Sequence, residues 1–217
     1  MEIKVLTNIH KANDAIANRS RALLDSNGVF CLNVMASPGA GKTTLLLDMI
    51  RRLRDEFRVG VIEGDVSSTV DSEKIAKEGI PVLQINTGGG CHLDANQLSG
   101  AYPEMPLADL DMLFIENVGN LICTAGYQLG EHKRIVIASV PEGDDKPYKY
   151  PNMFTVVDAI VVSKTDLIPY MNFSLEEFTR AVRTINASVP IFPVSATTGE
   201  GMEEWCDWLK KEAFPQS

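Results

Sequence analysis

Residues 36 to 44, Ala36-Ser-Pro-Gly-Ala-Gly-Lys-Thr-Thr44, set two glycines, a lysine and two threonine hydroxyls in an order that can wrap a polyphosphate. Gly39 and Gly41, with Ala40 between them, let successive backbone N–H groups turn toward an anion. The helix expected to start there adds the positive end of its dipole. Lys42 would neutralise the β and γ phosphates. Thr43 offers a hydroxyl to magnesium, an ion that takes oxygen ligands and keeps most of its water when it sits on phosphates, and Thr44 follows on the nucleotide side. The loop leaves an apolar strand and enters a helix, the context that a phosphate loop requires. Its first motif position is Ala36 rather than glycine. That residue ends the strand and need not touch phosphate.

Two further strands end in carboxylates, Val61-Ile-Glu-Gly-Asp65 and Phe114-Ile-Glu-Asn-Val-Gly119. In parallel α/β sheets ligands sit beyond the carboxyl ends of the strands. Asp65 is therefore the candidate to hold magnesium, directly or through water, with Glu116 as the second acidic position behind it. Gly119 can offer its backbone N–H to a γ-phosphate and withdraw it after hydrolysis, as switch segments do. Many GTPases carry aspartate where Glu116 stands, so the longer side chain suggests a water-bridged contact. Each acid could instead be an ordinary solvated strand end.

A later apolar run leads into Ser163-Lys-Thr-Asp166, and another strand leads into Ser195-Ala-Thr197. The pair resembles the guanine-reading elements of GTPases, an Asn-Lys-x-Asp string followed downstream by Ser-Ala. Asp166 would accept both hydrogens on the guanine edge, which adenine cannot supply, and so discriminate against ATP. Lys164 can lay its stem along the base, and Ser195 and Ala196 would close the pocket. Ser163 stands where asparagine is expected, and a contact to the purine or the phosphate loop is expected to be lost.

Cys91-His92 follows Gly88-Gly-Gly90, and Cys123 lies four residues beyond Gly119. Thiolates and imidazole suit zinc, nickel and copper. A free cysteine is as often a small buried apolar residue, so both readings of Cys91 and Cys123 stand at this point. Cys31, within a strand, and Cys206, between Trp205 and Trp208, read as packing residues, and His10 and His132 as surface or capping residues. Three ligands in one chain become a larger set if a twofold axis doubles them. Because Cys123 belongs to the segment that would respond to a γ-phosphate, nucleotide state could alter the ligand geometry.

These residues need a scaffold that brings strand ends together. The spacing predicts an amphipathic helix over about 9–26, with Ile9, Ala12, Ile16, Leu23 and Leu24 on one face and a left-handed stop at Asn27-Gly28. Strands are predicted at Phe30 to Met35, Val59 to Ile62, Pro81 to Ile85, Met112 to Ile115, Arg134 to Ser139, Ala159 to Val162 and Ile191 to Val194. Helices are predicted at about 43–56, 72–78, 174–185 and 200–213, with long irregular connections at 87–106 and 141–151. The alternation implies one α/β domain over residues 1–217, a mostly parallel sheet with helices on both faces. The 217 residues, 45% hydrophobic and 23% charged, fit one ordinary globular domain. The net charge of −9 leaves no basic face for a phosphate backbone, so nucleic acid is not an expected partner. Four cysteines without framework spacing point to reduced thiols, no apolar run approaches the roughly 18 residues of a membrane span, and Met1-Glu-Ile-Lys-Val lacks a leader pattern. A cytoplasmic location is expected.

The strings Ser37-Pro-Gly-Ala-Gly-Lys-Thr-Thr44, Val61-Ile-Glu-Gly-Asp65, Gln84-Ile-Asn-Thr-Gly-Gly-Gly-Cys-His-Leu-Asp94, Phe114-Ile-Glu-Asn-Val-Gly-Asn-Leu121, Lys146-Pro-Tyr-Lys-Tyr-Pro151 and Ser195-Ala-Thr-Thr-Gly-Glu-Gly201 together resemble the HypB family of hydrogenase-maturation nickel GTPases, from about residue 8 to 213. The resemblance implies a P-loop NTPase fold of the SIMIBI class, which includes signal-recognition and cell-division nucleotide hydrolases. It implies a GTP-dependent homodimer and nickel or zinc on Cys91, His92 and Cys123, while the absence of a glutamine after Gly119 to orient water makes slow, magnesium-dependent hydrolysis of GTP the expectation. It further implies delivery of nickel to the large subunit of nickel-iron hydrogenase with a zinc-binding HypA-like accessory protein. Lys149 matches the family lysine that reaches the neighbouring subunit's nucleotide. Some relatives begin with a cysteine-rich or histidine-rich nickel tract, which this sequence lacks, so high-affinity nickel storage is not expected. The alternatives are a urease-accessory GTPase, whose usual metal motif is Cys-Pro-His, a small-molecule P-loop kinase with structural cysteines, and a metal-responsive scaffold in which GTP is only structural.

Overall fold

The computed structural model describes residues 10–66 and 69–215. Seven strands form one sheet: β1 (Phe30–Ala36), β2 (Val59–Asp65), β3 (Val82–Asn86), β4 (Met112–Glu116), β5 (Lys133–Ser139), β6 (Ala159–Ser163) and β7 (Ile191–Pro193). Every pairing is parallel, in the order β3-β2-β4-β1-β5-β6-β7, so the expectation of a mostly parallel sheet becomes an all-parallel one. The central strands read as continuous apolar runs because helices cover both of their faces. The helices are α1 (Lys11–Asn27), α2 (Lys42–Leu53), α3 (Val70–Ala76), α4 (Ala95–Ala101), α5 (Lys146–Lys149), α6 (Pro151–Thr155), α7 (Leu175–Ile185) and α8 (Met202–Ala213). Alternation along each strand sorts the core. Leu32, Val34, Phe114, Ile135 and Val161 pack under α2 and α8, while Cys31, Leu113 and Ile115 face α1 and α4, and Val136, Ile160 and Val162 face α6 and α7.

The structure differs from the sequence expectations in two places. Helix α1 buries Ala17, Ser20 and Leu24 while Leu23 is 38% exposed, so its packed face is rotated from the predicted stripe; Ile9 lies outside the described residues. Its stop is as expected, with Gly28 at φ 69°. The connections at 87–106 and 141–151 are partly helical. Asp94 caps α4 through a reciprocal box with Gln97, and α5 and α6 each begin at or beside a proline, where no N–H is missed.

Candidate nucleotide and metal site

The phosphate loop turns from β1 into α2 with Gly39 at φ 77° and Gly41 at φ 95°, left-handed values that a side chain would strain. No side chain caps α2, so its first N–H groups stay available for an anion. Ser163 Oγ donates to the Ala40 carbonyl (2.8 Å) and Lys164 Nζ to the Gly39 carbonyl (2.7 Å). Ser163 therefore keeps a contact to the phosphate loop, its shorter hydroxyl reaching the Ala40 carbonyl. Lys164 adopts φ 61°, unusual for a side-chain-bearing residue, and its Cε lies 3.5 Å from where a Cβ on Gly41 would stand. Its stem therefore crosses the loop. Beside it opens a cavity of about 210 Å³ lined by Gly41, Thr44, Lys164, Asp166, Ala196 and Thr197 among others. Asp166 Oδ1 accepts from Ser195 Oγ (2.6 Å), which orients the carboxylate at the cavity wall.

Glu63 and Glu116 are register partners on β2 and β4, and with Asp65 they share the sheet face that carries α2. Thr43 Oγ1 donates to Glu116 Oε1 (2.9 Å). Glu63 Oε2 and Glu116 Oε2 are buried without a hydrogen-bond partner among the described residues. Burial pushes the Glu116 carboxyl up to about 7 against the pull of Lys42 and Thr43. Burial first, then the charges of Glu116 and Asp65, push Glu63 to about 8. Two orphaned carboxylate oxygens next to a threonine hydroxyl and a lysine fit a hydrated magnesium ion, which would supply the missing positive charge. Glu63 went unassigned in the sequence, although strand alternation from Asp65 places it on the same face. Gly119 packs on the loop so closely that a Cβ there would be 3.0 Å from Pro38 Cα.

Cys91, His92 and Cys123 converge from two loops, with one ligand atom of each within 4.8 Å of the others. Cys91 Sγ lies 3.5 Å from His92 Nδ1 and is exposed; Cys123 is half-buried. The hydrogen bond with Cys91 holds the Cys123 thiol above its usual range, and burial lowers His92. Asn120 Oδ1 accepts from the N–H groups of Ile122 (2.7 Å) and Cys123 (2.9 Å), which shapes the turn that presents the second sulfur. The His92 ring stacks on Tyr127 (centroids 3.9 Å apart), and His10 meets the same ring edge-on at 4.7 Å. Nothing in the sequence marked Tyr127. Cys31 and Cys206 are buried, as their packing reading required, with their thiols pushed up by burial. His132 bridges two elements: its Nδ1 accepts from the Cys31 N–H (2.9 Å) and its Nε2 pairs with Asp25 (2.8 Å). Lys149 pairs with Asp145 (2.5 Å) and is not among the residues that line the cavity beside Lys164 and Asp166.

Residues 30–193 match the nucleotide-binding domain of the CobW/HypB/UreG family. Hydrogenase maturation factor HypB of Escherichia coli strain K12 is 43% identical over 210 residues, covering 97% of this chain and 72% of that protein. The hydrogenase/urease maturation factor HypB of Helicobacter pylori is 38% identical, covering 96% and 87%. Two crystal structures superpose with a TM-score of 0.88. One is a hydrogenase maturation factor HypB from Archaeoglobus fulgidus (37% identity, 94% of this chain and 99% of that one), and the other is HypB from Helicobacter pylori in complex with nickel (36%, 95% and 100%). The signal recognition particle receptor FtsY of Elizabethkingia anophelis shares the fold at 15% identity, with a TM-score of 0.58, 92% of this chain and 73% of that one being covered.

Proposed function

Because the chain belongs to the CobW/HypB/UreG family of P-loop GTPases, and within it to the HypB hydrogenase maturation factors, we propose that it is a GTP-hydrolysing nickel metallochaperone. The observation that carries this reading is the convergence of Cys91, His92 and Cys123 at the surface, with Cys123 on the segment that continues from Glu116 and Gly119 beside the phosphate loop. Gly39 to Thr44 hold the phosphates, Asp166 reads guanine, and Thr43 and Asp65 hold magnesium with Glu116 and Glu63 behind them. Magnesium supplies charge compensation for the polyphosphate, and Lys42 stabilises the charge that develops on hydrolysis. Turnover is slow, since no glutamine follows Gly119 to orient water. Nickel is the cargo, zinc its competitor for the same donors. The HypB of Helicobacter pylori crystallised with nickel supports this assignment. The chain works as a GTP-dependent homodimer in which Lys149 reaches the neighbouring nucleotide. A HypA-like protein and the large subunit of nickel-iron hydrogenase are its partners.

A kinase with structural cysteines would bury its thiols apart from one another, and here Cys91 and Cys123 meet at the surface beside an imidazole. The test is a nickel titration of the protein bound to GDP and to a non-hydrolysable GTP analogue, repeated on Cys123→Ala. The wild type should bind nickel with different affinity in the two states. The variant should bind weakly and equally in both, with GTP binding nearly intact. Absence of nickel binding in the wild type would overturn the metallochaperone reading, and equal wild-type affinities would overturn the switch.

A further inference from the structure

Asn33 and Asn117 are enclosed amides, 0% and 1% exposed, that no proposed nucleotide or metal contact uses. Buried amides are retained with their hydrogen bonds filled. Here a single relay fills them. Asn33 Nδ2 donates to Glu131 Oε1 (3.2 Å), and Asn117 Nδ2 donates to Asn33 Oδ1 (3.2 Å). Glu131, paired with Arg134 at 2.5 Å, can only accept as a carboxylate, so it fixes the orientation of both amides. Asn117 Oδ1 is left to accept, and it accepts twice: from the Leu93 N–H (3.1 Å) and from the Val118 N–H (2.9 Å).

Those two donors belong to the two loops that carry the metal ligands. Leu93 directly follows Cys91-His92, and its side chain is wedged on β2, where a Cβ on Gly64 would lie 2.6 Å from Leu93 Cδ1. Val118 precedes Gly119, which abuts Pro38 of the phosphate loop, and leads through Asn120 to Cys123. The far end of the relay returns to the same site. Arg134 donates to the Tyr127 carbonyl (3.2 Å), and the Tyr127 ring stacks on His92. One amide thus ties both loops to each other through its oxygen and to β1 through its nitrogen. A shift of Val118–Gly119 toward or away from a γ-phosphate moves one arm of this fork, and the other arm must lengthen, reorient or follow. We propose that Asn117 is the positioning residue that couples nucleotide state to the geometry of the nickel ligands, a role that rests on the chain being a nickel-carrying GTPase. Asn33 and Glu131 keep its acceptor aimed at the two loops.

The experiment compares nickel affinity in the GDP state and in the GTP-analogue state, with magnesium present, for the wild type and Asn117→Ala. The wild-type ratio should be about 5-fold or more, the range of ordinary allosteric coupling, and in Asn117→Ala it should shrink to within about twofold while nickel still binds. A folded Asn117→Ala protein that keeps the wild-type ratio overturns the proposal and leaves the metallochaperone reading intact. A wild-type ratio of one removes the switch itself, and this role with it. If Asn117→Ala does not fold, hydrogen exchange on the wild type decides. Amides of residues 92–94 and 118–120 should change protection together between the two nucleotide states, and a change in one segment alone overturns the coupling role.

Discussion

At the residue scale, the nucleotide site divides its tasks among side chains whose removal has separable effects. Lys42→Ala leaves phosphate charge uncompensated and should abolish measurable GTP turnover in a phosphate-release assay. Asp166→Asn presents a donor where guanine offers donors, so ATP should compete with GTP more effectively than in the wild type; unchanged competition would assign base reading to another residue. Ser163 adds a contact that its departure from asparagine concealed. Ser163→Ala strands the buried Ala40 carbonyl and should cost about 1–3 kcal/mol of thermal stability, read by calorimetry, with weaker GDP binding as the loop loosens. The phosphate loop and the Asp166 string were legible because each is a short run with a fixed chemical purpose, whereas the meeting of Cys91 and His92 with Cys123 was left open by the residues and expected from the family resemblance. Glu63, Tyr127, Asn33 and Asn117 were not assigned, since their importance comes from neighbours far away in sequence: Glu116 across the sheet, His92 across a ring stack, Glu131 and Leu93 through amides.

At the element scale, α1 is joined to the sheet by a histidine as well as by its apolar face. His132 accepts from β1 on one ring nitrogen and meets Asp25 of α1 with the other. Burial holds its pKa below the usual value, against the pull of Asp25. The unfolded chain therefore binds a proton at about pH 6.5 that the folded protein takes up only at lower pH. This stability is present above about pH 6.5 and is lost as the pH falls toward the folded value. Glu63 and Glu116 titrate with the opposite sign, because their folded carboxyls are raised, so the informative quantity is a difference. Denaturant midpoints of wild type and His132→Asn, measured from pH 8 to 5, should converge as the pH falls; parallel curves would remove His132 from the linkage. The strands and longer helices were legible from apolar runs, whereas α4, α5 and α6 were not. The four and five residues of α5 and α6 are too few for a helical period, α4 lies in the stretch that three consecutive glycines led to be read as irregular, and caps and prolines mark all three instead. The packed face of α1 was misplaced because Ser20, a polar residue, is buried in it.

At the scale of the whole molecule, parallel pairing gathers every strand end that bears a functional residue onto one edge, as the alternating pattern predicted. The proposed homodimer belongs to this scale too: sedimentation in the presence of the GTP analogue should show a heavier species than with GDP, and an unchanged distribution would count against GTP-dependent assembly. The strand order has a further consequence for how the chain comes to be folded. β1 carries the phosphate loop and is made early, yet its neighbours are β4 and β5, with Phe30 pairing to Met112 and Leu32 to Lys133. An emerging chain therefore exposes an unpartnered apolar strand while about a hundred further residues are added, several seconds at synthesis rates of roughly 5–20 residues per second. Such long-range pairing also makes refolding slow. A fluorescent GDP analogue included during refolding should gain signal only in the last kinetic phase, since the loop that grips its phosphates has no floor until both of those late strands have docked.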